Sequence, residues 1–265
     1  MKLLAHFGLK HLPFHKGGTI LWDNKSLIEL ERKFKRLLEL PGVGVLTGEY
    51  GLGKTMAVKK IVGEINPHMY HVTYIAETGF SRSEFYRILA RKLGVELAYR
   101  RSDLWFNIRE KLVDMKTNRK ILPIIIIDEA QSLHSEFFID LSSFLNFNFD
   151  SEDIFTLWLV GNKNFLQKIK QIKYESLMSR IRIYHDLRQI EDFEEFKSFI
   201  KLGFNEAGCT TTLLSDSSIR VLKEATKSAP RRIYNVVTNC LEAAYEKNLT
   251  HIPDELLEEI ICNMM

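Results

Sequence analysis

Cysteine is scarce in this chain. Cys209, Cys240 and Cys262 are the only three in 265 residues, and no two form a CxxC pair. That spacing argues against a disulfide framework or a zinc knuckle and fits a reducing, cytoplasmic compartment. Six prolines and 14 glycines leave no room for collagen-like or low-complexity character. Long hydrophobic runs are missing too. The longest, Ile121 to Ile127, covers seven positions with Pro123 among them, too short to span a bilayer. The opening MKLLAHFGLKHLPF holds neither a long apolar stretch nor a small-residue cleavage site, so no secretory leader is read there. What remains is 45% hydrophobic and 27% charged, an ordinary balance for a chain that buries a core. The length suits one large domain or two small ones.

Charge is uneven. Through Leu187 the chain carries 28 basic and 21 acidic residues, net +7; beyond it, 9 basic and 13 acidic, net −4. A basic larger part permits contact with a polyanion, and an acidic smaller part does not favour it.

Short β-rich apolar runs alternate with helical patterns over the first part. The strand candidates are Val43–Thr47, Tyr70–Ile75, Ile121–Asp128, Ile154–Val160 and Ile181–Leu187. Helical stretches are expected over Thr55–Ile65, Ser83–Leu93, Leu104–Met115 and Glu136–Phe147. Ser81 with Glu84 three residues on forms a capping box for the second of these. Ile124–Ile127 is continuously apolar and β-branched, as a strand buried on both faces of a parallel sheet should be. The alternation predicts a three-layer α/β domain. After about residue 190 the strand signal stops. Phe193–Asn205, Asp216–Lys227, Arg231–Lys247 and Asp254–Cys262 read as four helices, a second and all-helical domain.

Gly48-Glu49-Tyr50-Gly51-Leu52-Gly53-Lys54-Thr55 matches GxxxxGK[ST] between a predicted strand and a predicted helix, the setting a P-loop requires. Gly48, Gly51 and Gly53 let the backbone curl so that its N–H groups face a phosphate. The helix start adds its positive dipole end. Lys54 is expected at the β- and γ-phosphates and Thr55 on Mg²⁺. The apolar run Ile124–Ile127 ends in Asp128 and Glu129. Asp128 at a strand tip suits Mg²⁺, directly or through water, and Glu129 suits the general base that polarises an attacking water. Together the two motifs point to nucleotide hydrolysis and not to binding alone.

GEYGLGKT followed by IIIIDEAQSL resembles the AAA+ ATPases, and in particular the ExeA-like and TniB/TnsC/MuB branch. His6-Phe7-Gly8-Leu9-Lys10 with Pro13-Phe14 resembles that branch's "FGL…PF" opening, and Asp128-Glu129-Ala130-Gln131 its DEAQ box. Leu159-Val160-Gly161-Asn162 resembles sensor 1, Ser179-Arg180-Ile181 the arginine-finger region, and Ala229-Pro230-Arg231-Arg232 the sensor-2 element of the lid. The branch's lid glycine is Ser228 here. The resemblance implies a three-layer P-loop AAA+ core over 1–188 and a small helical lid over 189–265. It implies that Asn162 bonds the γ-phosphate or the lytic water; a turn asparagine is the plain alternative. Arg180 would reach a neighbouring subunit's nucleotide, with Arg182 its rival. Arg231 would touch phosphate within its own subunit. Phe7 would help cover the adenine with Leu9, Pro13, Phe14 or Trp22; a core-packing arm is the alternative.

In the transposon-associated members, the resemblance implies an ATP-dependent regulator that oligomerises on duplex DNA, without base readout, and hands a target site to a transposase. The secretion-type members typically add a membrane span after the ATPase part. None follows the lid helices here, so the expectation is no membrane and a transposase or targeting protein as partner. Just before the acidic pair, residues 99–120 hold seven basic side chains against three acidic ones. Arg100, Arg101, Lys116 and Arg119 are the candidates for DNA phosphates, and Tyr99 and Trp105 for stacking; a solvated helix face with Trp105 in the core is the alternative. A helicase-loader or secretion-type ATPase acting on a protein is the rival reading.

Overall fold

The computed structural model describes residues 2–15, 25–76, 79 and 81–264. Trp22, one of the expected adenine contacts, lies outside them. The chain divides into two compact units.

The sheet unit comprises residues 25–49 and 54–187. It begins with α2 (Lys25–Glu39), the second helix after α1 (Lys2–His6), and continues through β1 (Val43–Gly48), α3 (Lys54–Glu64) and β2 (Tyr70–Ile75). Then come α4 (Arg82–Leu93), α5 (Arg101–Thr117), β3 (Leu122–Ile127), α6 (Ser135–Phe144) and β4 (Thr156–Val160). It closes with α7 (Lys163–Ile169), α8 (Glu175–Met178) and β5 (Ile181–Leu187). The five strands pair in the order β2-β3-β4-β1-β5, every pair parallel. The expected three-layer α/β core is the one observed.

The alternation of side chains along each strand sorts the core into two faces. Val43, Val45, Ile125, Ile127, Leu157 and Leu159 are buried in one cluster with α4 to α7. Trp158, one position out of step with that set, stacks flat on Phe34 of α2, centroids 5.1 Å apart. Gly44 pairs with Trp158 across the sheet. A Cβ there would stand 2.7 Å from the indole and 2.8 Å from Leu37, so the helix closes on the strand because residue 44 has no side chain. The helix α2 carries Leu27, Leu30, Phe34 and Leu37 on one buried stripe, a spacing that buries one face of a helix. The capping box at α4 forms as expected, and Gly94 ends that helix in the left-handed region.

The helical unit comprises residues 2–15, 50–53 and 188–264. Its helices are α1, α9 (Phe193–Glu206), α10 (Asp216–Thr226), α11 (Pro230–Glu246) and α12 (Asp254–Met264). The N-terminal segment, expected with the sheet, groups with these helices. Phe7, Leu9 and Phe14 are buried in the helical core. Phe14 lies 5.3 Å from Phe199 ring to ring and fills the space where a Cβ on Gly203 would stand. The Lys10 N–H donates to the Ala207 carbonyl at 2.7 Å. Apolar residues spaced along a short arm find a partner surface wherever the core is open, and their sequence does not say which core.

Candidate active site

The strand β1 delivers the loop Glu49–Gly53 at its C-terminal end, and α3 starts at Lys54. Gly51 and Gly53 have φ of 81° and 90°, the left-handed region that a side chain disfavours. Lys54 is buried, and its Nζ donates to the carbonyls of Gly48 and Glu49, both at 3.0 Å. The lysine therefore sits folded across the loop that its own motif builds.

Thr55 in the first turn of α3 meets the carboxylate at the tip of β3. Its Oγ1 donates to Asp128 Oδ2 at 2.6 Å. Asp128 is buried. Its Oδ2 also accepts from the Tyr74 hydroxyl at 2.8 Å, and its Oδ1 accepts from the Glu129 N–H at 2.8 Å. A hydroxyl and a carboxylate oxygen side by side are the hard donors Mg²⁺ takes, so these residues fit that ion. Tyr74 was not among the residues the sequence singled out. It follows from the register of β2, which places Tyr74 beside Ile126 on β3. Burial, then the bond to Asp128, pushes its phenol far above the usual tyrosine range, so it stays a donor at any working pH.

Glu129 is exposed and has left-handed backbone, φ 52°. A 3₁₀ turn over Ala130–Ser132 follows it. The Gln131 side-chain amide donates to the Glu129 carboxylate, and its oxygen accepts from the Asn162 N–H at 3.2 Å. Asn162 caps α7, its Oδ1 accepting from the Phe165 N–H at 3.0 Å. Asn162 thus serves as a helix cap two residues beyond the end of β4, with its N–H on the Gln131 side chain.

Arg180 is paired within the chain. Both of its terminal nitrogens donate to the Asp150 carboxylate, and its side chain is only 20% exposed. Arg182 pairs with Asp153 at 2.6 Å, its stem lying over Gly42. The Asp150 loop is unusual: Asn148, Phe149 and Asp150 all have positive φ, and Phe149 is fully exposed.

In the helical unit, Arg231 is exposed in the first turn of α11, which opens on Pro230. A Cβ on Gly51, whose loop segment clusters with this unit, would stand 3.4 Å from the Arg231 Cβ. Ser228, in the branch's glycine position, takes φ 53°, and its Oγ donates to the Ile190 carbonyl at 3.0 Å. The serine thus adopts the glycine conformation with a side-chain bond to hold it. Phe7, expected at the adenine, takes a core position in the helical unit. It is buried in the helical core with its ring 4.7 Å from His6.

The basic segment is largely engaged within the chain. Arg101 pairs with Asp140 at 2.7 Å and Arg119 with Asp114 at 2.7 Å. The Lys116 ammonium donates to the Asp153 carbonyl at 2.5 Å. Arg109 donates to the carbonyls of Phe144 and Asn146 and lies over the rings of Phe147 and Trp105. Trp105 packs against the core, as the plain alternative expected. Arg100 and Tyr99, at the start of α5, are exposed, Tyr99 at 95%. Among the described residues no group of three or more histidine, cysteine, aspartate and glutamate side chains is gathered as a metal-binding cluster, and no helix is long and apolar enough to cross a membrane.

A family model described as an AAA domain matches residues 37–169. General secretion pathway protein A of Aeromonas hydrophila is 23% identical over 257 residues, 91% of this chain and 44% of that protein. The chain therefore spans less than half the length of the curated relative it matches. Among solved structures, Cdc6p from Pyrobaculum aerophilum superposes with a TM-score of 0.64 at 14% identity, over 94% of this chain and 68% of that one. The Aeropyrum pernix ORC2 protein in its ADPNP–ADP complexes superposes with 0.65 at 18%, over 97% and 70%. At these identities the superpositions speak for a shared fold.

Proposed function

The chain belongs to the AAA domain family and is an ATPase, and from that premise we propose an ATP-dependent switch that assembles on duplex DNA to regulate transposition. The observation that carries the catalytic half is the 2.6 Å bond from Thr55 Oγ1 to Asp128 Oδ2. It brings together two motifs 73 residues apart, with Glu129 one residue beyond. In this reading the backbone N–H groups of Gly48–Gly53 and the Lys54 ammonium bind the phosphates, Lys54 leaving its carbonyl partners for the β- and γ-oxygens. Thr55 and Asp128 hold Mg²⁺, which supplies charge neutralisation on the phosphates. Glu129 accepts the proton of a water whose oxygen attacks the γ-phosphorus as the bond to the leaving diphosphate breaks. Asn162 orients that water or the γ-phosphate, Arg231 contacts phosphate in its own subunit, and Arg180 completes a neighbour's site once it leaves Asp150.

The DNA half rests on the branch resemblance and on the exposed Tyr99 and Arg100 at the start of α5. Arg101 and Arg119 contribute only as their ion pairs with Asp140 and Asp114 open, which costs little because surface ion pairs contribute about 0–1 kcal/mol, and Lys116 contributes only as it leaves the Asp153 carbonyl. ATP drives the oligomer, hydrolysis releases it, and a transposase or targeting protein is the partner. A second reading has its own support: the curated relative is named as a secretion pathway protein. There the ATPase acts on a protein, and DNA is irrelevant to turnover.

Negative-stain microscopy of the protein with duplex DNA separates the two, run with ATP, a slowly hydrolysed analogue, ADP and no nucleotide. Rings or filaments on DNA with ATP or the analogue alone are expected. Nucleotide binding without DNA association in any state overturns the DNA reading in favour of a protein partner.

A further inference from the structure

We infer that Gln131 is a positioning residue for hydrolysis, tying the Glu129 carboxylate to the tip of β4. The inference rests on the reading of Glu129 as the general base. One amide makes both connections: its NH₂ faces the Glu129 carboxylate and its oxygen faces the Asn162 N–H. Turned the other way it would set a donor against a donor and an acceptor against an acceptor, so the two partners fix its orientation. The turn that carries it is clamped from α7. Lys168 Nζ donates to the Gln131 carbonyl at 3.0 Å and to the Leu133 carbonyl at 2.7 Å. Gly161 makes the space. A Cβ at that position would stand 2.9 Å from Gln131 Oε1. Glu129 needs such a guide. It is exposed on left-handed backbone, and an exposed glutamate samples several rotamers. A base loses rate steeply when its carboxylate strays from the attacking water. Gln131 limits that wandering and makes it depend on where β4 ends and α7 begins, beside the residue read as sensing the γ-phosphate.

The test uses the full chain with Mg²⁺ and ATP. Gln131→Met keeps the length and loses both polar contacts; Gln131→Glu keeps the oxygen toward Asn162 and sets a carboxylate against Glu129. Both should lower kcat about ten- to a hundredfold while KM for ATP and affinity for a fluorescent ADP move less than about twofold. In a Glu129→Gln background, Gln131→Met should cost nothing further in single-turnover hydrolysis, because the group it positions is already gone. A residue that merely supports the turn would cost the same in both backgrounds. That equal loss, or undiminished kcat in both Gln131 variants, overturns the inference while leaving Glu129 as the base. Undiminished turnover in Glu129→Gln alone overturns the base assignment and this inference with it.

Discussion

Asp128 shows how densely a single side chain is used at this site. Its two oxygens accept from Thr55, Tyr74 and the Glu129 N–H while the residue is buried. Removing one donor from such a set disturbs the others. Tyr74→Phe should therefore loosen the carboxylate and raise the Mg²⁺ concentration for half-maximal ATPase up to about tenfold, since partners of metal ligands tune affinity on that scale. A Mg²⁺ titration at saturating ATP checks it. Lys54→Ala should abolish nucleotide binding, read by fluorescent ADP titration. Glu129→Gln should keep binding, lose at least about a hundredfold in turnover, and remain on DNA as a trapped oligomer. Lys54, Thr55, Asp128 and Glu129 were legible in the sequence because their spacing is local and their chemistry demanding. Tyr74 and Gln131 were not singled out. Their roles come from strand register and from one turn folding under another, which no local pattern encodes.

At the scale of elements, the packing of α2 on the sheet depends on an absent side chain and a buried ring. Gly44→Ala drives a methyl into Trp158 and Leu37 and should cost about 1–3 kcal/mol by chemical denaturation. The cap of α4 is worth testing separately: Ser81→Ala removes a side-chain acceptor and should cost about 0.5–2 kcal/mol. Where α2 meets β5, His185 is buried, with Lys33 Nζ 3.4 Å from Nδ1 and Ser26 Oγ 3.2 Å from Nε2. Lysine only donates, so Nδ1 accepts and Nε2 carries the proton, the neutral tautomer. Burial, then the Lys33 charge, holds its folded pKa below the ordinary value of about 6.5. Below that pH the unfolded chain takes up a proton the native state refuses, so stability falls as pH drops through that window. Urea melts at descending pH should show this slope in the wild type and a flatter one in His185→Asn. All five strands were readable as short β-rich runs, continuously apolar in Ile124–Ile127 and alternating in Ile181–Leu187. The α2 stripe of Leu27, Leu30, Phe34 and Leu37 was equally present in the sequence and would have marked that helix.

For the whole molecule, the central prediction concerns assembly. If Arg180 serves a neighbour's nucleotide, specific ATPase activity should rise with protein concentration in the wild type and stay flat and low in Arg180→Ala. DNA affinity should fall steeply with salt, and Arg100→Glu should weaken it and reduce the slope of log affinity against log salt. A salt-independent interaction would speak for a protein surface instead. By itself, the sequence determined the parallel α/β core, the phosphate loop, the acidic strand tip and the run of C-terminal helices. Each is written in patterns a few residues long, through β-branched runs, glycine conformation and helical period. Only the tertiary structure decided that the N-terminal arm packs with the C-terminal helices, since an apolar side chain accepts any open core. It also decided that Arg180 rests on Asp150, and that Arg101, Lys116 and Arg119 bond within the chain. A charge is indifferent to which opposite charge or carbonyl it meets, and the fold chooses by bringing one of them within reach.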